Sequence, residues 1–186
     1  MDYDQIFEQI DYRTSPLSEL KYDYTHFVGC NFSGSTIHNI TFIECTFTSC
    51  DFSEVIFDTT AFRGCKFEES KMLGARFDNV NSFLLNFKFD GCILDYASFY
   101  GVDMKKTSFD NCTLSEAEFS NADLTKSSFC NCKMSKTVFA GSNLSEATLL
   151  NNEQLYIDLE SSNIQKATFS REDLPMLLSK YKITVI

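Results

Sequence analysis

Cysteine and histidine are the side chains here that could bind a metal ion or act as a nucleophile and a base. The sequence has eight cysteines and two histidines. His26 and His38 are expected to face outward with no paired nucleophile, and no phosphate-binding glycine loop is present. Cys130 and Cys132 form a C-x-C pair, but no histidine or second cysteine pair lies near them to complete a zinc site. The sequence therefore predicts no enzyme, no bound metal and no cofactor.

Seven of the cysteines share one position in a five-residue repeat, which explains them as packing residues. Large apolar side chains recur at every fifth residue from Leu17 to Phe77 and, after one break, from Phe89 to Leu149. These cysteines stand two residues before a large side chain, where other repeats have Ser, Thr, Ala or Val. We expect them to be small and buried, whereas Cys130 should face solvent. The seven are Cys30, Cys45, Cys50, Cys65, Cys92, Cys112 and Cys132.

A five-residue period fits neither an α-helix nor a β-strand, so the repeat itself must be the structural unit. Gly and Asn recur two residues after the large side chain, as at Gly29, Gly141 and Asn111, and both residue types tolerate positive φ in turns. Short extended segments joined by tight corners can close only by winding, and four corners give a square coil of about 20 residues. The sequence therefore predicts an all-β solenoid of about eight coils whose large side chains fill the interior.

The repeat is irregular in two places. The interval between the two runs of large side chains is two residues longer than the period allows, which predicts a bulge near 82–88. A second irregularity lies near 152–158, where Gln154 occupies the position of a large side chain. We expect Leu155 to replace Gln154 in the core after a local shift.

The two ends of the solenoid must be covered, because each would otherwise expose unpaired strand edges and an open core. We assign 1–14 to an N-terminal cap, 15–174 to the repeat and 175–186 to a C-terminal helix and tail. Ser170 is the expected N-cap of that short helix, and 183–186 is expected to form a terminal β segment.

The repeats resemble the pentapeptide-repeat family, whose motif is roughly A-(D/N)-(L/F)-x-x. The resemblance covers about 15–174 and includes Cys30-Asn31-Phe32, Ala122-Asp123-Leu124 and Ser142-Asn143-Leu144. Members of this family fold as a right-handed quadrilateral β-helix, so the resemblance implies the same fold class as the pattern.

The C-terminal segment resembles that of one branch of the family, the Qnr-type quinolone-resistance proteins with MfpA, the albicidin-resistance protein AlbG and the microcin-immunity protein McbG. Those chains end in a helix, a Gly and a short apolar strand, and they dimerise through this segment. Here Lys182 stands where Gly is usual. The resemblance implies a homodimer, and a cap that merely closes the solenoid is the alternative. The residues expected at the dimer contact are Met176, Leu177, Tyr181, Ile183, Val185 and Ile186.

Qnr-type proteins bind DNA gyrase or topoisomerase IV as acidic rods that imitate DNA, and the charge pattern here fits that function. When outward residues are sorted onto four sides by the repeat, one side collects six carboxylates against Arg76 alone. We therefore expect a DNA mimic that protects a bacterial type II topoisomerase from a poison or inhibits the enzyme like one. The six carboxylates are those of Glu19, Asp58, Asp78, Glu118, Asp158 and Glu160.

A structural or interaction rod with an unknown protein partner is the alternative function. Direct nucleic-acid binding is disfavoured by the net charge of −10, because phosphate contacts need clustered Lys and Arg. The sequence has no apolar run long enough to span a membrane and no basic, apolar leader near Met1, so we expect no membrane association and a cytoplasmic location.

Overall fold

The computed structural model describes residues 5–183, and its strands form two parallel sheets. One sheet has nine strands, in which Phe27, Phe47 and Phe67 lie directly opposite one another. The second sheet has five strands. In chain order the strands are Gln5–Glu8 (β1), Lys21–Asp23 (β2), Thr25–Val28 (β3), Thr36–His38 (β4), Thr41–Ile43 (β5), Thr46–Thr48 (β6), Ile56–Arg63 (β7), Cys65–Glu68 (β8), Arg76–Asn81 (β9), Phe87–Asp90 (β10), Ser108–Asp110 (β11), Ser128–Cys130 (β12), Thr148–Leu150 (β13) and Thr168–Phe169 (β14).

The chain winds as a four-sided β-solenoid of about eight turns, which confirms the expected fold class. Sides outside the two sheets are joined by single parallel bridges, such as Asn31 with Asp51 and Asp123 with Asn143. Each coil is therefore held to the next by backbone hydrogen bonds on several sides.

The large side chain of each repeat points inward and stacks on the equivalent side chain of the next coil. Phe109 is fully buried, and its ring centroid lies 5.0 Å from that of Phe89 and 4.7 Å from that of Phe129, with nearly parallel planes. The rings of Phe99 and Phe119 meet it edge-on. Offset stacking and edge-to-face contact are the preferred geometries of aromatic pairs, so the core is a continuous set of favourable ring contacts.

The corners of the coil use positive φ, as the positions of Gly and Asn predict. All seven glycines have φ between 60° and 70°. At Gly64 an added Cβ would also collide with the carboxylate of Glu44. Among residues 5–183, 22 residues other than glycine adopt positive φ as well, including Lys106 and Glu116. The corner geometry is thus required by the coil even where the sequence does not signal it.

The insertion near 82–88 brings an extra aromatic ring into the core. Phe89 continues the stack of Phe67 and Phe109, while Phe87 lies opposite Cys65, in a position that smaller residues occupy in other coils. The ring of Phe87 lies 5.1 Å from that of Phe62. Phe87 therefore fills core volume beside the second sheet, and the displaced backbone forms an exposed turn.

Two segments near the C-terminal end also depart from the regular repeat. Leu155 is buried and Gln154 is exposed, as the expected local shift requires. After β14 come a 3-10 turn at Arg171–Asp173, the short helix α1 at Leu174–Leu177 and a second 3-10 turn at Ser179–Tyr181. The hydroxyl of Ser170 donates to the carboxylate of Asp173 and makes no capping bond to a backbone N–H.

The ends of the described chain differ in part from the expected division. β1 already pairs with β3, so regular pairing begins at Gln5 rather than at residue 15. The reason is that Phe7 packs on the ring of Phe27 as a further member of its stack. At the other end, Ile183 lies outside any strand, and 184–186 of the expected β segment lie outside the described residues.

Candidate partner-binding side

The side of the solenoid on which the sequence pattern predicts six carboxylates is called the acidic side (Glu19, Asp58, Asp78, Glu118, Asp158 and Glu160), and the strand pairing places Asp58, Asp78 and Glu118 on it. Backbone pairing links this side from coil to coil, from Ile56 to Arg76, then to Ser98, Glu118 and Val138. Adjacent parallel strands lie about 4.8 Å apart, so outward side chains on this side form rows along the axis.

Asp58 is held by neighbours in the coils before and after it. Nδ1 of His38 lies 2.7 Å from Oδ2 of Asp58. The side-chain amide of Asn79 donates to the other carboxylate oxygen. Both oxygens of Asp58 are therefore engaged, although the imidazole of His38 is exposed.

Asp78 and Glu118 are also hydrogen-bonded within the chain. The guanidinium of Arg76 lies 3.2 Å from Oδ2 of Asp78, whose Oδ1 accepts from the hydroxyl of Ser98 and from the backbone N–H of Tyr100. Oε1 of Glu118 accepts from the N–H of Ser120 at 2.7 Å. Within residues 5–183, Glu118 has no cationic partner.

Lys180 contacts two of the predicted carboxylates, and the sequence pattern missed this contact. Its Nζ lies 2.9 Å from Oδ1 of Asp158 and 2.9 Å from Oε2 of Glu160. The hydrogen bond from Lys180 holds the pKa of Asp158 below its usual value, and the two carboxylates raise the pKa of Lys180. A signal was available in the sequence, because Lys180 follows Glu160 by one coil.

The residues expected at a dimer contact differ in their exposure. Met176, Tyr181 and Ile183 are exposed. Leu177 is buried within its own chain, so its side chain helps to close the end of the solenoid and does not face outward. Val185 and Ile186 lie outside the described residues.

Backbone pairing is interrupted at both ends of the acidic side, and a cavity lies at each interruption. Within residues 5–183, no backbone bond joins 15–19 to β4, and a cavity of about 290 Å³ opens there between Leu17 and Ile37. At the other end a cavity of about 240 Å³ lies beside Val138 and Tyr156.

The cysteines have the positions that the repeat predicts. Seven are buried and Cys130 is half-buried. Several thiols donate to backbone carbonyls of the preceding coil, as Cys50 Sγ does to the carbonyl oxygen of Phe27 at 3.4 Å. In the described part of the chain, no group of histidine, cysteine and acidic residues could hold a metal ion.

Comparison with known proteins addresses the family and the fold. The family described as "Pentapeptide repeat region" matches residues 36–117 and 102–176. No curated protein matches the sequence significantly. None of the helices between residues 5 and 183 is long and apolar enough to cross a membrane.

Solved structures of QnrB1, which is described as a plasmid-mediated fluoroquinolone resistance protein, are similar in fold. Two trypsin-treated forms have TM-scores of 0.71 and 0.69 at 18% and 20% identity, and each match covers 98% of this chain and 99% of the other. The full-length form has a TM-score of 0.60 at 18% identity. The family match over most of the chain, together with the four-sided coil of five-residue repeats, shows that this protein belongs to the pentapeptide-repeat family.

Proposed function

We propose that this protein is a cytoplasmic, non-enzymatic DNA mimic that binds bacterial DNA gyrase or topoisomerase IV through its acidic side. Binding would protect the enzyme from a topoisomerase poison or inhibit the enzyme as a poison does. The observation that supports the proposal is the pairing from coil to coil of the segments that carry Asp58, Asp78 and Glu118. The fold shared with QnrB1 over 98% of this chain adds support.

The spacing of the carboxylates on the acidic side suits a partner protein whose own ligand is DNA. Coils lie about 4.8 Å apart along the solenoid, and the phosphates of one DNA strand recur at about 3.4 Å of rise along the helix axis, so both present closely spaced negative charges along an axis. Asp58 and Asp78 lie one coil apart on the acidic side. A basic DNA-binding surface would therefore meet several carboxylates at once.

The ion pair between Arg76 and Asp78 does not block such binding. Arg76 is exposed, and exposed ion pairs contribute only about 0–1 kcal/mol. A lysine or arginine of the partner could replace Arg76 beside Asp78 at little cost. Glu118 needs no such exchange.

A homodimer through the C-terminal segment forms part of the proposal. Leu174, Met176, Tyr181 and Ile183 expose apolar surface at the end of the solenoid. Exposed apolar clusters on soluble proteins are frequent contact sites, and a two-fold dimer would use the same patch on both chains. The acidic sides of the two chains would then form a longer acidic surface that resembles a longer segment of DNA.

A gyrase supercoiling assay with and without ciprofloxacin, titrated with this protein, tests the proposal. We expect inhibition or protection, and Asp78→Lys with Glu118→Lys should weaken the effect by at least about tenfold. Glu69→Lys with Asp90→Lys is the matched control, since it makes the same charge change at exposed positions beside the nine-stranded sheet, away from the acidic side.

The outcomes of this assay separate the possible functions. Loss of effect in the Asp78 and Glu118 variant alone supports binding through the acidic side. An equal loss in both variants would assign the effect to net charge. Absence of inhibition, protection and co-purification with either gyrase subunit would favour a rod with a different partner.

A further inference from the structure

The C-terminal segment covers part of the acidic side. Lys180 lies between Asp158 and Glu160, and the hydroxyl of Tyr181 donates to Oε1 of Glu160 at 3.4 Å. Two of the carboxylates assigned to partner binding are thus engaged by the chain's own lysine. These groups are at least partly exposed, so a competing cation could reach them.

An apolar recess adjoins these carboxylates. The cavity of about 240 Å³ is lined by Val138, Phe139, Ala140 and Tyr156, and the polar residues of its wall are Lys136, which is paired with Glu116, and Thr137, Asp158 and Ser161. The bridge between Glu118 and Val138 has no counterpart in the next coil within the described residues, so the backbone edge here lacks a strand partner. Carboxylates beside an apolar recess suit a segment that carries a lysine next to an apolar side chain.

We propose that a lysine-bearing segment of the partner binds at Asp158 and Glu160, and that Lys180 and Tyr181 of the chain itself occupy this site when no partner is bound. Partner binding and docking of the C-terminal segment then compete for Asp158 and Glu160. The inference rests on the proposed function only in taking the acidic side as the partner-binding surface, and it holds for any basic protein partner.

Competition of this kind would couple two sites. A tethered lysine acts at a high effective concentration, so an isolated basic residue would displace it poorly, whereas a segment with several contacts would succeed. By thermodynamic linkage, release of the C-terminal segment must strengthen partner binding by the same factor by which binding favours release. In this proposal Lys180 controls whether a partner can reach Asp158 and Glu160.

Binding of a deca-lysine peptide, measured by calorimetry at low salt, tests the competition without a topoisomerase. We expect Lys180→Gln to bind the peptide at least about threefold more tightly than Lys182→Gln. Both variants remove one positive charge from the same exposed segment, but Lys182 forms no ion pair in the described part of the chain. Lys180→Arg keeps the charge and should bind like the wild type.

Hydrogen exchange provides a second measurement. In the wild-type protein, saturating deca-lysine should increase exchange in 179–182, because the turn that carries Lys180 and Tyr181 is displaced while Leu177 stays buried. Equal peptide affinity of the Lys180→Gln and Lys182→Gln variants, or unchanged exchange with bound peptide, would overturn the inference. Neither result would affect the supercoiling test, and a negative supercoiling test would leave this competition intact.

Discussion

Replacing Phe109 with alanine tests whether the stacked rings are the main source of stability. The side chain is fully buried, stacks on Phe89 and Phe129, and meets Phe99 and Phe119 edge-on. Truncation of a buried Phe to Ala costs about 3–5 kcal/mol, and favourable ring pairs add about 0.5–1.5 kcal/mol each. We expect a loss near the upper end, about 4–5 kcal/mol, because pairing on both sides of the coil prevents the backbone from collapsing into the cavity.

The matched control is the same substitution at Phe83. That ring is 67% exposed at the turn after β9 and lies 5.7 Å from the guanidinium carbon of Arg63. Its removal loses an exposed cation–π contact of about 0.5–1 kcal/mol and little buried area. The predicted difference between the two variants is therefore at least about 3 kcal/mol.

Equilibrium urea unfolding followed by circular dichroism measures both losses, since the protein has no tryptophan to report by fluorescence. A total stability of about 5–15 kcal/mol makes a loss of this size easy to detect. Similar losses of under about 1 kcal/mol in both variants would refute the reasoning, because backbone pairing would then hold the coils together without the rings. A lower m-value for Phe109→Ala would indicate that the coils before and after residue 109 unfold in separate steps.

Two further predictions concern the thiols and the pH dependence of stability. Only Cys130 should react with Ellman's reagent before unfolding, and its reaction should be slow because burial raises the pKa of its thiol. The Cys130→Ser variant should show no reaction in the native state. Several fast-reacting thiols in the native protein would contradict the packing role of the other seven cysteines. Burial and the charge of Asp90 raise the pKa of Asp110, so its ionised form opposes folding above that raised pKa. Asp110→Asn should raise Tm at pH 7, with a gain that shrinks as the pH falls through the raised pKa and vanishes below about pH 4; a gain independent of pH would show another cause.

The sequence predicts the coil well because each repeat position is sampled many times along the chain. Large side chains at every fifth residue give the inward direction, and Gly and Asn mark corners such as Gly141 and Asn111. Corners at Lys106, Glu116 and Lys126 carry no such signal, yet they have φ near 60°. There the parallel pairing of the coils imposes a backbone conformation that the local residue would not choose.

At the insertion near 82–88 the five-residue pattern does not predict which apolar residues enter the core. Phe83, Leu85, Phe87 and Phe89 are all apolar, and spacing alone cannot decide which of them enter the core. The structure buries Phe87 beside Phe62 and exposes Phe83. The choice depends on the core volume left beside Phe62, which is a property of the neighbouring coil and not of the local sequence.

The repeat predicts which carboxylates belong to the acidic side, but it does not predict the contacts that they make. Cross-coil partners follow the coil length, as His38 with Asp58 and Lys180 with Glu160 show, each pair being 20 residues apart. Counting charges along one side misses these pairs because His38 and Lys180 each lie one coil away from the carboxylate that they contact.

The negative charge that a partner meets depends on which of these cations it can displace. Among the described residues, Glu19 and Glu118 have no ion-pair partner, whereas Asp158 and Glu160 share Lys180. Glu118 is therefore free of any cation that a basic partner must displace, and on the proposed competition we expect the C-terminal end of the side to open only when Lys180 leaves. A partner that first binds near Glu118 and then extends along the axis would gain the two remaining carboxylates in a second, separable step.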